Sequence, residues 1–244
     1  MKINWDSEVL SSVSKVVDQL EHLSINKDSI ESVADWLAYE EFPIPSSAAV
    51  RDDADDFIRA TMFMNTLNFA FTDFDKSIKY EINEDGKILS DSEAMYSQVN
   101  NAISSGIKLT DGNEMASISL HQLKNIFVGN IEMPMLKERV EILNEVGQKL
   151  VDSYEGDWIN FINNGPKKLY SDGEGLVERL IEEFPRFDDS SQFKGSNVKF
   201  YKLAQLAFWV IHAELSGSNY FKIEDMNSMT AFADYIIPVA LNLK

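Results

Sequence analysis

The hydrophobic and polar positions of this chain alternate mostly with the period of an α-helix. Apolar residues in the segment 6–23 recur three and four positions apart, which predicts an amphipathic helix. The segment Asp28–Tyr39 predicts a second helix, which the proline-containing run 42–45 ends. A third helix is predicted to follow the acidic run Asp52–Asp56, because carboxylates near a helix N-terminus are stabilised by its partial positive charge.

The second half of the chain is also dominated by helical patterns. Helices are predicted at Ser92–Ile103, Ser119–Phe127, Pro134–Ser153, Gly175–Glu183, Val198–Leu215 and from Thr230 to the C-terminus. The segment Ser77–Leu89, with Asn83-Glu84-Asp85-Gly86 at its turn, predicts one short hairpin. No repeat or linker divides the chain. The pattern therefore predicts a mostly α protein, a single helical domain over residues 1–244 with a minor β element.

The composition changes this picture in one respect, which is charge. The chain has 244 residues, 44% of them hydrophobic, enough for a sizeable core. Its 40 acidic and 22 basic side chains give a formal net charge of -18. Such a surface favours solubility and repels nucleic acid polymers and anionic membranes, so neither is an expected partner. A small anion could bind only where local Lys or Arg side chains, or helix N-terminal N–H groups, overcome that field.

Spacing motifs exclude several chemistries without identifying one. The chain has no cysteine, which excludes disulfides, thiolate nucleophiles and cysteine-ligated metals. The histidines His22, His121 and His212 lack the spacing of a metal site, and HExxH, GxSxG and glycine-rich phosphate loops are absent. A signal peptide and an apolar run of about 18 residues are also absent, so the cytoplasm is the expected location. The oligomeric state stays open.

Four segments carry longer motifs in a fixed order. They are 65–71 (NTLNFAF), 133–147 (MPMLKERVEILNEVG), 184–205 (FPRFDDSSQFKGSNVKFYKLAQ) and 229–238 (MTAFADYIIP). Together they resemble the queuosine salvage protein family over about residues 57–243, and the N-terminal helices of residues 1–50 match less well. The resemblance implies a helical fold related to that of DNA glycosylases. It also implies a 5′-phosphorylated queuosine nucleotide as the substrate, a 7-deazaguanine base and ribose phosphate as products, and no metal or organic cofactor.

The reaction that the resemblance implies requires a carboxylate in the active site. Hydrolysis of an N-glycosidic bond builds positive charge on the ribose, so a carboxylate near the anomeric carbon stabilises the transition state. Asp234 is the candidate catalytic carboxylate, because an Asp in an apolar segment is costly unless it is paired or functional. Its alternative role is to cap the last helix.

The substrate-binding candidates lie in three of the motifs or, for Trp209, just after one of them. Lys202 and Gln205 face the same way on a helix and Trp209 lies one turn further on, so they offer a cation, an amide and an aromatic ring. The alternative for Lys202 is an ordinary surface lysine, and the alternative for Trp209 is packing in the core. The other candidates, each with a plain structural alternative, are Asn68, Phe69 and Tyr235. Asp189 is expected to organise its loop rather than touch substrate.

The sequence departs from the family pattern at polar positions. Val210 stands five residues after Gln205, where the family pattern has an Asp that the resemblance implies is a catalytic carboxylate. Glu214, one turn further on, is the candidate to replace it. The other departures are Asn65, Asp188, Leu203, Ile236 and Val239. They leave two alternatives to the hydrolase: a binding protein that lacks catalysis, and an enzyme of another reaction class in specialised metabolism on the same scaffold.

Overall fold

The computed structural model describes residues 7–24, 26–40, 53–73, 75–218, 220–234 and 237. Over these residues the chain is mostly α-helical. The helices are α1 Glu8–Ser14, α2 Lys27–Leu37, α3 Ala54–Thr66, α4 Asp91–Ser104, α5 Gly112–Ser117, α6 Leu120–Ile126, α7 Leu136–Tyr154, α8 Trp158–Asn163, α9 Leu176–Glu183 and α10 Lys202–Leu215. The antiparallel strand pairs are β1 Thr72–Asp73 with β2 Ile78–Lys79, β3 Glu81–Glu84 with β4 Lys87–Ser90, and β5 Ser190–Phe193 with β6 Ser196–Lys199.

Most of the predicted elements are confirmed, with ends shifted by a few residues. The predicted hairpin is the β3–β4 pair, in which Glu84 faces Lys87 across the turn. Asp85 and Gly86 both have positive φ angles there, of 50° and 85°, as a two-residue hairpin turn requires. The helix expected after the acidic run begins at Ala54, where the Asp53 side chain accepts a hydrogen bond from the Asp56 N–H.

Three predicted helices differ from the structure. The helix predicted over 6–23 ends at Ser14, and only a short 3-10 turn follows it. The helix predicted from Val198 begins at Lys202, because Ser196–Lys199 pair with Ser190–Phe193 instead. The helix predicted from Thr230 is absent over 230–234, and apart from Ile237 its remainder lies outside the described residues, as does the 42–45 run.

The centre of the fold is built from α3, α7, α8, α9 and α10. Helix α3 packs against α10 and α8, α9 packs against α10, and α7 packs against α5, α6 and α8. A group of buried aromatic rings joins these helices: Tyr154, Trp158, Phe161, Phe184 and Phe187. The Trp158 and Phe184 ring centroids are 4.8 Å apart, and the Phe161 ring meets Phe184 edge-on at 5.4 Å. This packing fixes the start of the segment 184–189, which leads to the site.

Helices α5 and α7 approach each other so closely that one position on α7 has no room for a side chain. A Cβ atom at Gly147 would overlap the backbone nitrogen of Ala116 and lie 2.7 Å from the Gly112 carbonyl oxygen. Both neighbours are main-chain atoms, so the clash could be relieved only by moving a helix. The glycine that ends the 133–147 motif is therefore a packing requirement.

We expect Gly147→Ala to lower the free energy of unfolding by about 1–3 kcal/mol, because overpacking forces the two helices apart. Urea denaturation at neutral pH measures this change. Gly217→Ala is the matched control, since a Cβ at Gly217 meets no atom within 4 Å. Equal effects of the two substitutions would show that the α5–α7 contact is not the cause.

Candidate functional site

The candidate site begins on one face of α10, against which the segment 229–234 lies. The Lys202 ammonium donates a hydrogen bond to the Asp234 carboxylate, with Nζ and Oδ2 2.5 Å apart. Both side chains are about one quarter exposed, at 24% and 28%, so the pair is open to solvent on one side. The structure thus brings together the predicted catalytic carboxylate and the predicted cation, which are 32 positions apart in the sequence.

Gln205 holds this segment against α10. Its side chain is fully buried, and its Oε1 accepts a hydrogen bond from the Thr230 N–H at 2.9 Å. Its Nε2 donates to the Thr230 hydroxyl at 2.9 Å and to the Phe200 carbonyl at 3.3 Å. Both the oxygen and the nitrogen of the Gln205 amide are hydrogen-bonded within the protein. Gln205 therefore positions the segment that carries Asp234.

Trp209 continues the same face of α10. Its ring is half-buried and meets the edge of Phe232 at a centroid distance of 6.0 Å and an interplanar angle of 72°. The three α10 residues predicted from the motif therefore all contact the segment 229–234. Their spacing of three and four positions along a helix explains why one segment can meet them all.

The second part of the site is the loop after α3, and a buried arginine on α7 organises it. Arg139 is fully buried, and its guanidinium donates hydrogen bonds to the carbonyls of Leu67, Phe69 and Ala70. Its Nε donates to the Pro134 carbonyl at 3.0 Å. Ala70 has a φ angle of 47°, a left-handed conformation that non-glycine residues seldom adopt. These bonds hold the loop in that shape.

Phe69 and Asn68, the two predicted substrate contacts in this loop, both contact other side chains of the protein. The guanidinium carbon atoms of Arg139 and Arg186 lie 4.3 and 4.5 Å from the Phe69 ring centroid. Asn68 donates from Nδ2 to the Tyr96 hydroxyl oxygen at 3.0 Å. The Phe69 ring thus already makes cation–π contacts with two arginines, a role that sequence reasoning did not predict.

The segment 186–189 joins the two parts. At one end, Arg186 Nε donates to the Thr66 carbonyl at the end of α3, at 2.9 Å. At the other end, the Asp189 carbonyl accepts from the N–H groups of Phe200 and Tyr201, at 2.8 and 3.3 Å. The loop residues Asn68 and Phe69 are therefore linked through one short segment to the start of α10. The Asp189 carboxylate is exposed, and its backbone makes these bonds, in agreement with an organising role.

Arg139 and Arg186 both have pKa values below the usual value for arginine. Burial, together with the nearby charge of Arg186, lowers the pKa of Arg139 to about 9. Burial also lowers the pKa of Arg186 to about 10, against the opposing effect of Asp189. Both shifts indicate positive charge that is withdrawn from water. Arg139 is part of the 133–147 motif, but the sequence did not show that its side chain reaches the loop after α3.

Helix α1 also reaches the start of α10, which the sequence did not predict. The Glu8 carboxylate accepts hydrogen bonds from Lys199 Nζ at 2.5 Å and from the Tyr201 hydroxyl at 2.9 Å. The Ser12 hydroxyl accepts from the Lys199 N–H at 3.0 Å. Tyr201 precedes Lys202 directly and has a φ angle of 49°. Glu8 thus fixes the residue from which α10 begins.

Other predicted positions do not join the site. Val210 is half-buried and packs against the hydrophobic core, and Glu214 is exposed. Tyr235, Ile236 and Val239 lie outside the described residues. A cavity of about 340 Å³ at Tyr96, the hydrogen-bond partner of Asn68, is lined by Glu84, Glu93, Tyr96, Ser97, Asn100 and Asn101. Its two carboxylates make it unsuitable for an anion.

Neither a metal-binding cluster nor a membrane-spanning helix is found in the part of the chain that the structure describes. No group of three or more acidic or histidine side chains there could hold a metal ion. No helix there is long and apolar enough to cross a bilayer.

Comparison with known proteins identifies the family to which these motifs belong. The model of the family described as queuosine salvage protein matches residues 48–244. The chain is 27% identical over 237 residues to the queuosine 5′-phosphate N-glycosylase/hydrolase of Sphaerobacter thermophilus. It is 31% identical over 179 residues to the protein of that name from Bos taurus, and 30% identical over 191 residues to that from Mus musculus. The chain belongs to the queuosine salvage protein family.

The matches differ in how much of each protein they cover. The bacterial match covers 96% of this chain and 71% of the relative. The bovine match covers 72% of this chain and 51% of the relative, and the murine match covers 77% and 55%. The chain therefore spans about half the length of the two mammalian relatives that it matches.

The Glu8 contacts predict an acid-sensitive link between α1 and α10. Burial alone would raise the pKa of Glu8, but its hydrogen bonds with Lys199 and Tyr201 outweigh that effect and lower the pKa below 4.5. Its contribution to stability is therefore complete above about pH 4.5 and is lost as the pH falls through the lowered value. We expect Glu8→Gln to lower the urea midpoint at pH 7, and the difference from the unsubstituted protein to shrink at pH 3.5.

Glu31→Gln is the control, because Glu31 is exposed on α2. Its midpoint should follow that of the unsubstituted protein at both pH values. A Glu8→Gln difference that stays constant between pH 7 and pH 3.5 would contradict the assignment of this effect to the Glu8 carboxylate.

Proposed function

We propose that this protein hydrolyses the N-glycosidic bond of a 5′-phosphorylated queuosine-type nucleotide and releases the 7-deazaguanine base for salvage. One observation carries the proposal: in a chain of the queuosine salvage protein family, the partly exposed Asp234 carboxylate is held by Lys202 at the start of α10. The relatives whose names state this activity give the substrate class.

The geometry suits the chemistry in the following way. As the bond between the anomeric carbon and the base nitrogen breaks, its electron pair leaves with the base and positive charge develops on the ribose. The Asp234 carboxylate stabilises that charge. The oxygen of a water molecule adds to the anomeric carbon, and one proton of that water passes to a general base. The nitrogen of the departing nucleobase takes up a proton. Lys202 holds the carboxylate in a fixed orientation, so little reorganisation is needed.

The binding roles follow from the same arrangement. Trp209 supplies an aromatic surface against Phe232, two residues before Asp234, and the loop carrying Asn68 and Phe69 is linked to the start of α10 through the segment 186–189. We assign contacts with the nucleotide to these residues and to Tyr235. A helical arrangement like that of DNA glycosylases, one domain over residues 1–244, and a cytoplasmic location stay predictions.

The test is incubation of the protein with queuosine 5′-phosphate and detection of the released base by mass spectrometry. We expect Asp234→Asn to reduce kcat by about 100-fold or more, the effect of removing one preorganised group that stabilises transition-state charge. Asp152→Asn is the matched control, because Asp152 is exposed on α7 and contacts Gln148.

Two outcomes would count against the proposal. The first is no release of base by the unsubstituted protein at micromolar concentration over hours. The second is unchanged kcat in a folded Asp234→Asn variant, which would mean that the reaction does not use this carboxylate.

A second candidate function is nucleotide binding without catalysis. The observation that favours it is Val210, whose half-buried side chain packs against the hydrophobic core where the family pattern has a carboxylate. In this case the nucleotide would raise the melting temperature of the protein and would not be turned over. Multiple turnover by the unsubstituted protein excludes this candidate.

If the protein binds the nucleotide without hydrolysing it, we expect Val210→Asp to introduce measurable base release, since the substitution returns a carboxylate to α10. The same mass-spectrometric assay detects it. Val210→Asn, which has similar size and no charge, should remain inactive. Equal activity in the two variants would show that the carboxylate at this position is not the missing element.

A further inference from the structure

The charge distribution limits where this acidic protein can receive an anion. The chain carries 40 acidic and 22 basic side chains, so an anion needs a local excess of cations. Lys202, the cation expected from the sequence, is paired with Asp234. Its ammonium is therefore already partly neutralised, and the site needs another group for a phosphate.

Arg139 and Arg186 supply that local excess. Neither takes part in the ion pairs formed among the described residues, whereas Arg59, for example, pairs with both Asp56 and Asp157. Both guanidinium groups lie over the Phe69 ring. Two like charges beside one ring and withdrawn from water create a positive potential, which the exposed Asp189 carboxylate offsets in part and a bound anion would relieve further.

The two arginines differ in how much of their hydrogen-bonding capacity is used. Arg139 donates four hydrogen bonds to backbone carbonyls, three in the loop after α3 and one at Pro134, and so uses four of the five donors of a guanidinium. Arg186 donates one bond, from Nε to the Thr66 carbonyl. Its Nη2 is enclosed and has no acceptor within the described part of the chain. An enclosed N–H group without an acceptor is unfavourable, so Arg186 is the member of the pair with more donors left unused by the described residues.

The position of Arg186 is also suitable for contact with the phosphate of a bound nucleotide. It is three residues before Asp189, whose carbonyl is bonded to Phe200 and Tyr201 at the start of α10. Its side chain contacts the ring of Phe69, which is one of the predicted nucleotide contacts. Arg186 thus lies between the two parts of the candidate site. A planar guanidinium is the side chain best suited to two hydrogen bonds with a phosphate.

We propose that Arg186 is the residue that recognises the 5′-phosphate of the nucleotide, as the hydrogen-bond donor to a phosphate monoester, with the charge of Arg139 behind it. This inference rests on the proposed function and names the residue that receives the phosphate. Arg139 acts as the positioning residue, because it fixes the loop on which Phe69 lies.

The test uses ribose 5-phosphate as the probe and ribose as the matched ligand without phosphate, with binding measured by calorimetry. We expect Arg186→Gln to weaken the binding of ribose 5-phosphate by about 10- to 100-fold, the usual range for losing hydrogen bonds to a charged group. Binding of ribose should be the same in both proteins. Affinity for ribose 5-phosphate should also fall as salt is added.

Arg179→Gln is the control variant. Arg179 also lies over an aromatic ring, Phe161, donates to backbone carbonyls and has an enclosed Nη2 without an acceptor, but it belongs to α9 and contacts α8. We expect its substitution to leave the affinity for ribose 5-phosphate unchanged. Arg186→Lys keeps the charge and loses the planar pair of donors, so it should fold and weaken binding at least threefold.

The outcomes separate this proposal from the proposed function. Unchanged affinity for ribose 5-phosphate in Arg186→Gln, or in Arg186→Lys if the first variant does not fold, overturns the phosphate assignment. So does a failure of the unsubstituted protein to bind this probe at millimolar concentration. If base is released from queuosine 5′-phosphate with the same KM in Arg186→Gln, the hydrolase stands and this inference fails. If no base is released but binding of ribose 5-phosphate requires Arg186, the inference stands and the hydrolase fails.

Discussion

The hydrogen bonds of one buried guanidinium decide the shape of the region around the candidate site. Arg139 joins α7 to the carbonyls that follow α3, where the end of a helix leaves acceptors unsatisfied. It holds Ala70 in a left-handed conformation and places Phe69 beside Arg186. Loss of such a group leaves its carbonyl partners without a donor, which costs about 1–3 kcal/mol for each acceptor that stays buried. The loop and the second arginine both depend on it.

The start of α10 is the meeting point of segments that are far apart in the sequence. Asp189 bonds to the backbone before the helix, and Glu8 bonds to the Tyr201 hydroxyl. Gln205 holds Thr230 against the helix and so places Asp234 within reach of Lys202. A carboxylate on an irregular segment would otherwise be free to move. These contacts supply the preorganisation that a group stabilising charge in a transition state requires.

Charge explains how a protein of net charge -18 could act on a phosphorylated molecule. The ion pair of Lys202 with Asp234 is nearly neutral as a unit, and the positive charge lies instead at Arg139 and Arg186. The charge that would stabilise the ribose and the charge that would attract the phosphate are thus carried by different groups. That separation is useful in N-glycoside hydrolysis, because the transition state is positive at the ribose while the phosphate stays negative.

The sequence by itself determined the family, the mostly helical architecture and the placing of Lys202, Gln205 and Trp209 on one face of a helix. The contact of Asp234 with Lys202 came only from the tertiary structure. Apolar periodicity reflects local helix geometry, and motifs depend on residue identity, so both can be read without coordinates. Only the tertiary structure decided that residues 196–199 form a strand, that the Gln205 amide is used up by Thr230, and that Arg186 reaches Thr66, 120 positions away. Such contacts depend on how helices pack in space, and periodicity carries no information about which distant carbonyl or carboxylate a side chain will meet.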